Sequence, residues 1–248
     1  MKVISLVPSW TETLVESGIE VVGRTRYCIH PDSLVNSIQI VGGTKDIQWN
    51  KIADLQADIL IVDKEENRAE IKEKSPIPFV ASHVESVQHM PGEIDKFIET
   101  LKLDRNHPLS HLKQRWQKVI EEPKQFTIED LPGVIQWIKR PQEKISKIHY
   151  IIWKKPWMEV SKNTFIGSVL SHLGYEDLLN NNFEKYPKFS IENYLNKNTL
   201  LLFSSEPYSF GDIDELNQIK ELGVPAALVD GEKFSWFGLR TLKFLESL

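Results

Sequence analysis

Apolar positions along this chain fall into two spacings that take turns. Short runs such as Val3-Ile4-Ser5-Leu6-Val7, Ala57-Asp58-Ile59-Leu60-Ile61-Val62 and Asn198-Thr199-Leu200-Leu201-Leu202-Phe203 read as buried strands. Between them, apolar residues recur every three or four positions, as helices require. The middle of the chain holds the two clearest helical patterns. Ile94, Phe97, Ile98 and Leu101 form the first, and Leu109, Leu112, Trp116, Val119 and Ile120 the second, with Pro108 in its first turn and Pro123 closing it.

Each side of this middle runs through the same series: strand, helix, loop, helix, strand, helix, strand. The pattern predicts an α/β fold of two lobes with parallel sheets, joined by a helix, with a ligand cleft between them. The expected boundaries are residues 1–90 for the first lobe, 91–122 for the connecting helices, 123–147 for an insertion and 148–248 for the second lobe. Within the insertion, Val134, Ile135, Trp137 and Ile138 suggest a short apolar helix. Further on, helices are expected around Ser190 to Leu195 and from Ile213 to Leu222, and DGEKFSWFG (residues 230–238) reads as a loop.

Local signals mark where strands open onto candidate chemistry. Ser9 followed by Glu12 matches a capping box, which puts a helix start directly after the first strand. In α/β proteins ligands bind at the carboxyl ends of strands, so Ser9 is a candidate. Tyr27, Cys28 and His30 follow the second strand; Cys28 and His30 alone fall short of the four ligands of a structural zinc site. Glu65 and Glu66 follow Ala57–Val62, and Glu206 and Tyr208 follow Asn198–Phe203. Trp153, Trp157, Phe234 and Trp236 complete a set of aromatics at strand ends, suited to a large, flat, partly apolar ligand.

Composition narrows the classes. The chain has 248 residues, 41% hydrophobic and 26% charged, enough for a sizeable core. A net charge of −5 argues against a nucleic-acid scaffold. Cys28 is the single cysteine, so no internal disulfide forms. The opening apolar run is too short for a signal peptide, and no stretch approaches the about 20 apolar residues of a membrane span. As written, the chain is expected in the cytoplasm, or in the periplasm if a signal peptide has been removed.

Several segments together carry a family resemblance. SLVPSWTETL, VGRTRYCIHP, VGGTK, ADILIV with its following EEN, IIWKKPWM, TFIG, SSEP and DGEKFSWFG resemble the class III, helical-backbone substrate-binding proteins of ABC importers. The likeness spans nearly the whole chain apart from residues 124–147, and the cobalamin-binding branch is nearest in pattern. It implies two Rossmann-like lobes joined by a rigid connecting helix, and a metal chelate as ligand rather than a tightly bound cofactor: a cobalamin or other corrinoid first, then haem or a ferric siderophore. Pro8, Tyr27, Phe234 and Arg240 match cleft positions of that branch, and Glu192 matches the glutamate that one lobe presents to the permease. The chain departs from the pattern at Thr44 and Asp63, where the branch has tryptophans, and at Asn50, where it has the second docking glutamate.

Three functions follow as expectations. The first is a monomeric binding protein without catalytic chemistry, for a small-molecule metal chelate, with an ABC permease as partner and no nucleic acid. The second is binding of free iron, manganese or zinc by His30, Glu65, Glu66, Glu206 or Asp230. The third is a chelatase-like enzyme using His30 with Glu206 or Glu232 as a base.

Overall fold

The computed structural model describes all residues, Met1–Leu248. Two compact units emerge. One comprises Met1–Val84, Gln88–Val119 and Trp236–Glu246; the other comprises Glu85–Val87, Ile120–Ser235 and Ser247–Leu248.

The first unit is built on five strands: β1 (Val3–Ser5), β2 (Val21–Arg24), β3 (Gln39–Ile40), β4 (Ile59–Asp63) and β5 (Phe79–Ser82). They lie in the order β3-β2-β1-β4-β5, every neighbouring pair parallel. All five residues of β4 are buried, as befits a central parallel strand covered on both faces. The chain leaves β1 towards β2 and β3 on one side and fills β4 and β5 on the other, so the order reverses beside β1. Such a reversal opens a crevice at the carboxyl ends of the strands. Ile4, Leu6, Val41, Ile52, Leu60, Val62 and Ile71 form the core on one face.

Helix Pro8–Glu16 starts two residues earlier than the capping box, with Ser9 as N-cap, predicts. Val7, in extended conformation, is its N-cap, Pro8 occupies the first turn, and no side chain caps it. Glu12 is used elsewhere, as described below. Gly18, at φ +80°, ends the helix where L-residues with a Cβ are disfavoured. The middle helices, Met90–Thr100 and Pro108–Glu121, are linked by Lys113 to Asp95 at 2.6 Å. The buried Trp116 donates its indole N–H to the Gly238 carbonyl at 3.2 Å, which ties the second of these helices to the C-terminal segment. Arg115 makes a two-pronged contact with Glu246 at 2.8 and 2.5 Å, on helix Leu239–Glu246.

The second unit carries β6 (Val134–Lys139), β7 (Lys147–Trp153), β8 (Met158–Val160), β9 (Thr199–Ser204) and β10 (Ala226–Val229), in the order β6-β10-β9-β7-β8. The three central strands are parallel, but β6 runs antiparallel to β10 and β8 antiparallel to β7. The sheet is therefore mixed where the sequence pattern predicts a parallel one. β6 also corrects the expected apolar helix at residues 134–138: this stretch is an edge strand of the sheet. Residues 190–195 form a short 3-10 turn, Ile191–Tyr194, and residues 231–235 a short helix, Gly231–Ser235, in place of a helix and a loop respectively. Helix Phe165–His172 is capped by Thr164, whose hydroxyl accepts the Gly167 N–H at 3.0 Å.

Candidate functional site

In the first unit, candidate residues gather where the parallel strands end. Beyond β2, Tyr27 is 52% exposed, and the Arg26 guanidinium lies 5.6 Å from its ring centre while pairing with Asp46. His30 meets Trp236 edge-on, with ring centres 5.3 Å apart. Arg240 lies over the same indole at 5.3 Å and holds Glu12 through Nε and Nη2, at 2.9 and 2.7 Å. Residues 12, 30, 236 and 240 thus form one stack, although they come from distant stretches of the chain. Pro8 is half-buried at the start of the first helix; Ser9 is buried, its carbonyl accepting the Thr13 hydroxyl at 2.8 Å.

The end of β4 is organised by Asp63, which is 3% exposed. Its Oδ1 accepts the backbone N–H groups of Glu65 at 2.8 Å and Glu66 at 3.4 Å, and its Oδ2 accepts the Ser82 hydroxyl at 2.7 Å. Burial raises the Asp63 carboxyl above its ordinary range, against the downward pull of these hydrogen bonds. Asn67 accepts the Asp63 N–H at 2.8 Å and donates to the Thr44 carbonyl at 3.0 Å, so both positions where the resembling branch has tryptophan are joined through one polar bridge. Glu65 is exposed and Glu66 half-buried. A carboxylate oxygen of Glu65 and a ring nitrogen of His83, just beyond β5, lie within 4.8 Å of one another. His83 is a candidate metal ligand that the sequence did not reveal, because only the parallel pairing of β4 and β5 brings it beside Glu65.

In the second unit, the exposed Trp153 at the end of β7 meets Tyr208 edge-on, with ring centres 5.6 Å apart. Tyr208 donates its hydroxyl to Glu215 at 2.8 Å. Lys154 reaches Glu215 at 2.6 Å and Gln218 at 2.7 Å, and its ammonium lies 5.5 Å from the Trp157 ring centre. Trp157 stacks on Phe210 and packs against the core formed by Phe203, Phe210 and Leu228. It supports the strand end more than it faces solvent. Glu206 is half-buried and accepts the Ser235 hydroxyl at 3.0 Å. Phe234 is fully buried against Tyr150, with ring centres 5.6 Å apart, and is a core residue by position. Asp230 pairs with Lys233 at 3.1 Å, and Glu232 is half-buried nearby on helix Gly231–Ser235. His30 and His83 belong to the first unit and Glu206, Asp230 and Glu232 to the second.

Glu192 is exposed on the 3-10 turn Ile191–Tyr194, where the Ser190 hydroxyl donates to it and lowers its pKa. Beneath the turn lies a buried polar cluster with no counterpart in the sequence reading. Glu159 accepts Asn180 Nδ2 at 2.8 Å and the Tyr194 hydroxyl at 3.0 Å, and its other oxygen meets His149 Nδ1 at 2.5 Å. The His149 and Tyr194 rings are stacked, with centres 3.7 Å apart. Asn50, on helix Trp49–Asp54, is exposed.

No family model matches the sequence, and no curated protein matches it. Solved structures match over its length. The periplasmic vitamin B12 binding protein BtuF of Vibrio cholerae is 17% identical, with a TM-score of 0.69, covering 99% of this chain and 94% of that one. The periplasmic heme binding protein HutB of Vibrio cholerae is 16% identical, with a TM-score of 0.71, covering 100% and 96%. A periplasmic heme binding protein from Pseudomonas aeruginosa is 16% identical, with a TM-score of 0.73, covering 99% and 90%. The chain has the fold of the class III, helical-backbone periplasmic binding proteins of ABC importers. No helix in it is long and apolar enough to cross a membrane.

Proposed function

We propose that this protein is a substrate-binding protein for a large metal chelate, a corrinoid first and a haem or ferric siderophore next. The observation that carries the reading is full-length likeness to vitamin B12 and heme binding proteins, joined to aromatic side chains at the carboxyl ends of strands. Tyr27 and Trp153 offer exposed rings and Tyr208 a ring braced by Glu215, while Trp236, itself buried at 7% exposure, backs the half-buried His30 edge-on. Flat, partly apolar ligands bind by covering such rings. Within the first unit Glu65, Glu66 and Arg240 are the proposed polar contacts and Pro8 an apolar one, and Glu206 is the proposed polar contact of the second unit; the chelate is a ligand to be released, so the protein needs no catalytic residue. Glu192 is the proposed contact with an ABC permease, an exposed carboxylate suited to a basic pocket.

A second reading is favoured by one observation, the approach of Glu65 to His83. An imidazole and a carboxylate suit iron, manganese or zinc. Calorimetric titration with cyanocobalamin, haemin, a ferric siderophore, Mn²⁺ and Zn²⁺ separates the two. Binding of a chelate supports the first reading. Binding of the bare ions alone, lost in the His83→Ala variant, transfers the function to the second.

A further inference from the structure

The Arg240 guanidinium, on the Trp236 face, is matched inside the protein. Both Nε and Nη2 donate to Glu12, whose side chain is 8% exposed. A guanidinium grips a carboxylate best through two parallel N–H groups, and here a protein carboxylate already takes that geometry. The pair is net neutral, and the guanidinium plane lies over Trp236. Other cations among the aromatics are matched as well. Arg26, beside Tyr27, pairs with Asp46; Arg24 donates to the carbonyls of Val35, Thr25 and Cys28; and Lys154, next to Trp153, pairs with Glu215. Lys45, Lys64, Arg68 and Lys155 are exposed, where single charges are screened by water and salt. In the same unit as Arg240, the carboxylates of Glu65 and Glu66 stand just beyond β4.

We infer that this face of the first unit selects a chelate whose periphery is neutral or cationic, and that Glu12 sets the selection by neutralising Arg240. The inference rests on the chelate-binding reading and narrows its ligand class. An amide-fringed corrinoid or a cationic ferric hydroxamate is accepted. A porphyrin or ferric complex bearing free carboxylates is disfavoured, because it must desolvate anions near protein carboxylates without a guanidinium to receive them. Glu12 is a positioning residue: it acts on the ligand through the charge of Arg240.

The test is a calorimetric comparison of cyanocobalamin, ferrioxamine B and haemin with three proteins: the wild type, Glu12→Gln, and Glu12→Gln combined with Arg240→Gln. Glutamine keeps the shape of Glu12 and one acceptor for Arg240 while removing the charge. The wild type should bind cyanocobalamin or ferrioxamine B at least about tenfold more tightly than haemin. Glu12→Gln should raise haemin affinity, relative to the preferred chelate, by about tenfold, and the gain should shrink as salt is added. The double variant should lose that gain, which a merely structural role for Glu12 would not produce.

A wild type that prefers haemin overturns the inference, whether or not the variants fold. So does an unchanged affinity ratio in Glu12→Gln. Absence of binding by every chelate would instead remove the proposed function, and the inference with it.

Discussion

Ser82 donates its hydroxyl to Oδ2 of Asp63 at 2.7 Å, and the buried indole N–H of Trp10 donates to the same Ser82 oxygen at 2.9 Å. One hydrogen-bonded line therefore runs from the first helix, across β5, to the turn that presents Glu65 and Glu66. Asp63 orders that turn by accepting the backbone N–H groups of Glu65 and Glu66.

The first prediction concerns pH. Burial raises the folded pKa of Asp63 above its unfolded value. The stability this carboxyl contributes is full below the unfolded pKa and is lost as pH rises through the folded one. Asp63→Asn keeps an acceptor for the Glu65 N–H and carries no charge. Urea unfolding between about pH 3 and pH 8 should show the wild type losing ground to Asp63→Asn as pH rises. Asp63→Ala should cost about 1–3 kcal/mol, because buried donors lose their acceptor. A constant offset between wild type and Asp63→Asn across the whole range would contradict the assignment.

Phe234 and Tyr27 should separate stability from binding. Phe234 has no exposed surface, and Phe234→Ala should lower unfolding free energy by about 3–5 kcal/mol. Tyr27 is half exposed, and Tyr27→Ala should change stability by no more than about 0.5 kcal/mol while weakening chelate binding. Thermal unfolding and calorimetry on both variants check the pair. A binding defect in a normally stable Phe234→Ala would reverse the assignment.

Glu159 collects Asn180, Tyr194 and His149 on a side chain that is 1% exposed. Glu159→Ala should cost about 3–5 kcal/mol in chemical denaturation, as expected when one member of a buried polar set is removed. Glu159→Gln should cost less, since it can still accept Asn180 and Tyr194. Equal losses would show that the carboxylate oxygen facing His149, and not packing volume or the contacts to Asn180 and Tyr194, sets the cost at this position.

The strands that run through each unit were readable wherever burial on both faces makes them continuously apolar: Ile59–Asp63 and Thr199–Ser204 are buried at every position. Val134–Lys139 was not, since six mostly apolar residues fit a helix or a strand equally well, and its pairing with β10 lies far along the chain. Glu12 looked like half of a capping box; its partner Arg240 is 228 residues away, and no local pattern encodes that contact. The strand-end aromatics were legible as a group. The fate of each was not, because Phe234 and Trp157 turn inward through the packing of Tyr150 and Phe210.

The most direct test of the central claim is a tryptophan fluorescence titration with cyanocobalamin, haemin and a ferric siderophore in parallel, corrected for inner-filter absorption. Saturable quenching by one chelate, at about micromolar affinity or tighter and diminished in Trp153→Phe, is the predicted result. If none of the three produces saturable quenching, the chelate-binding account is wrong.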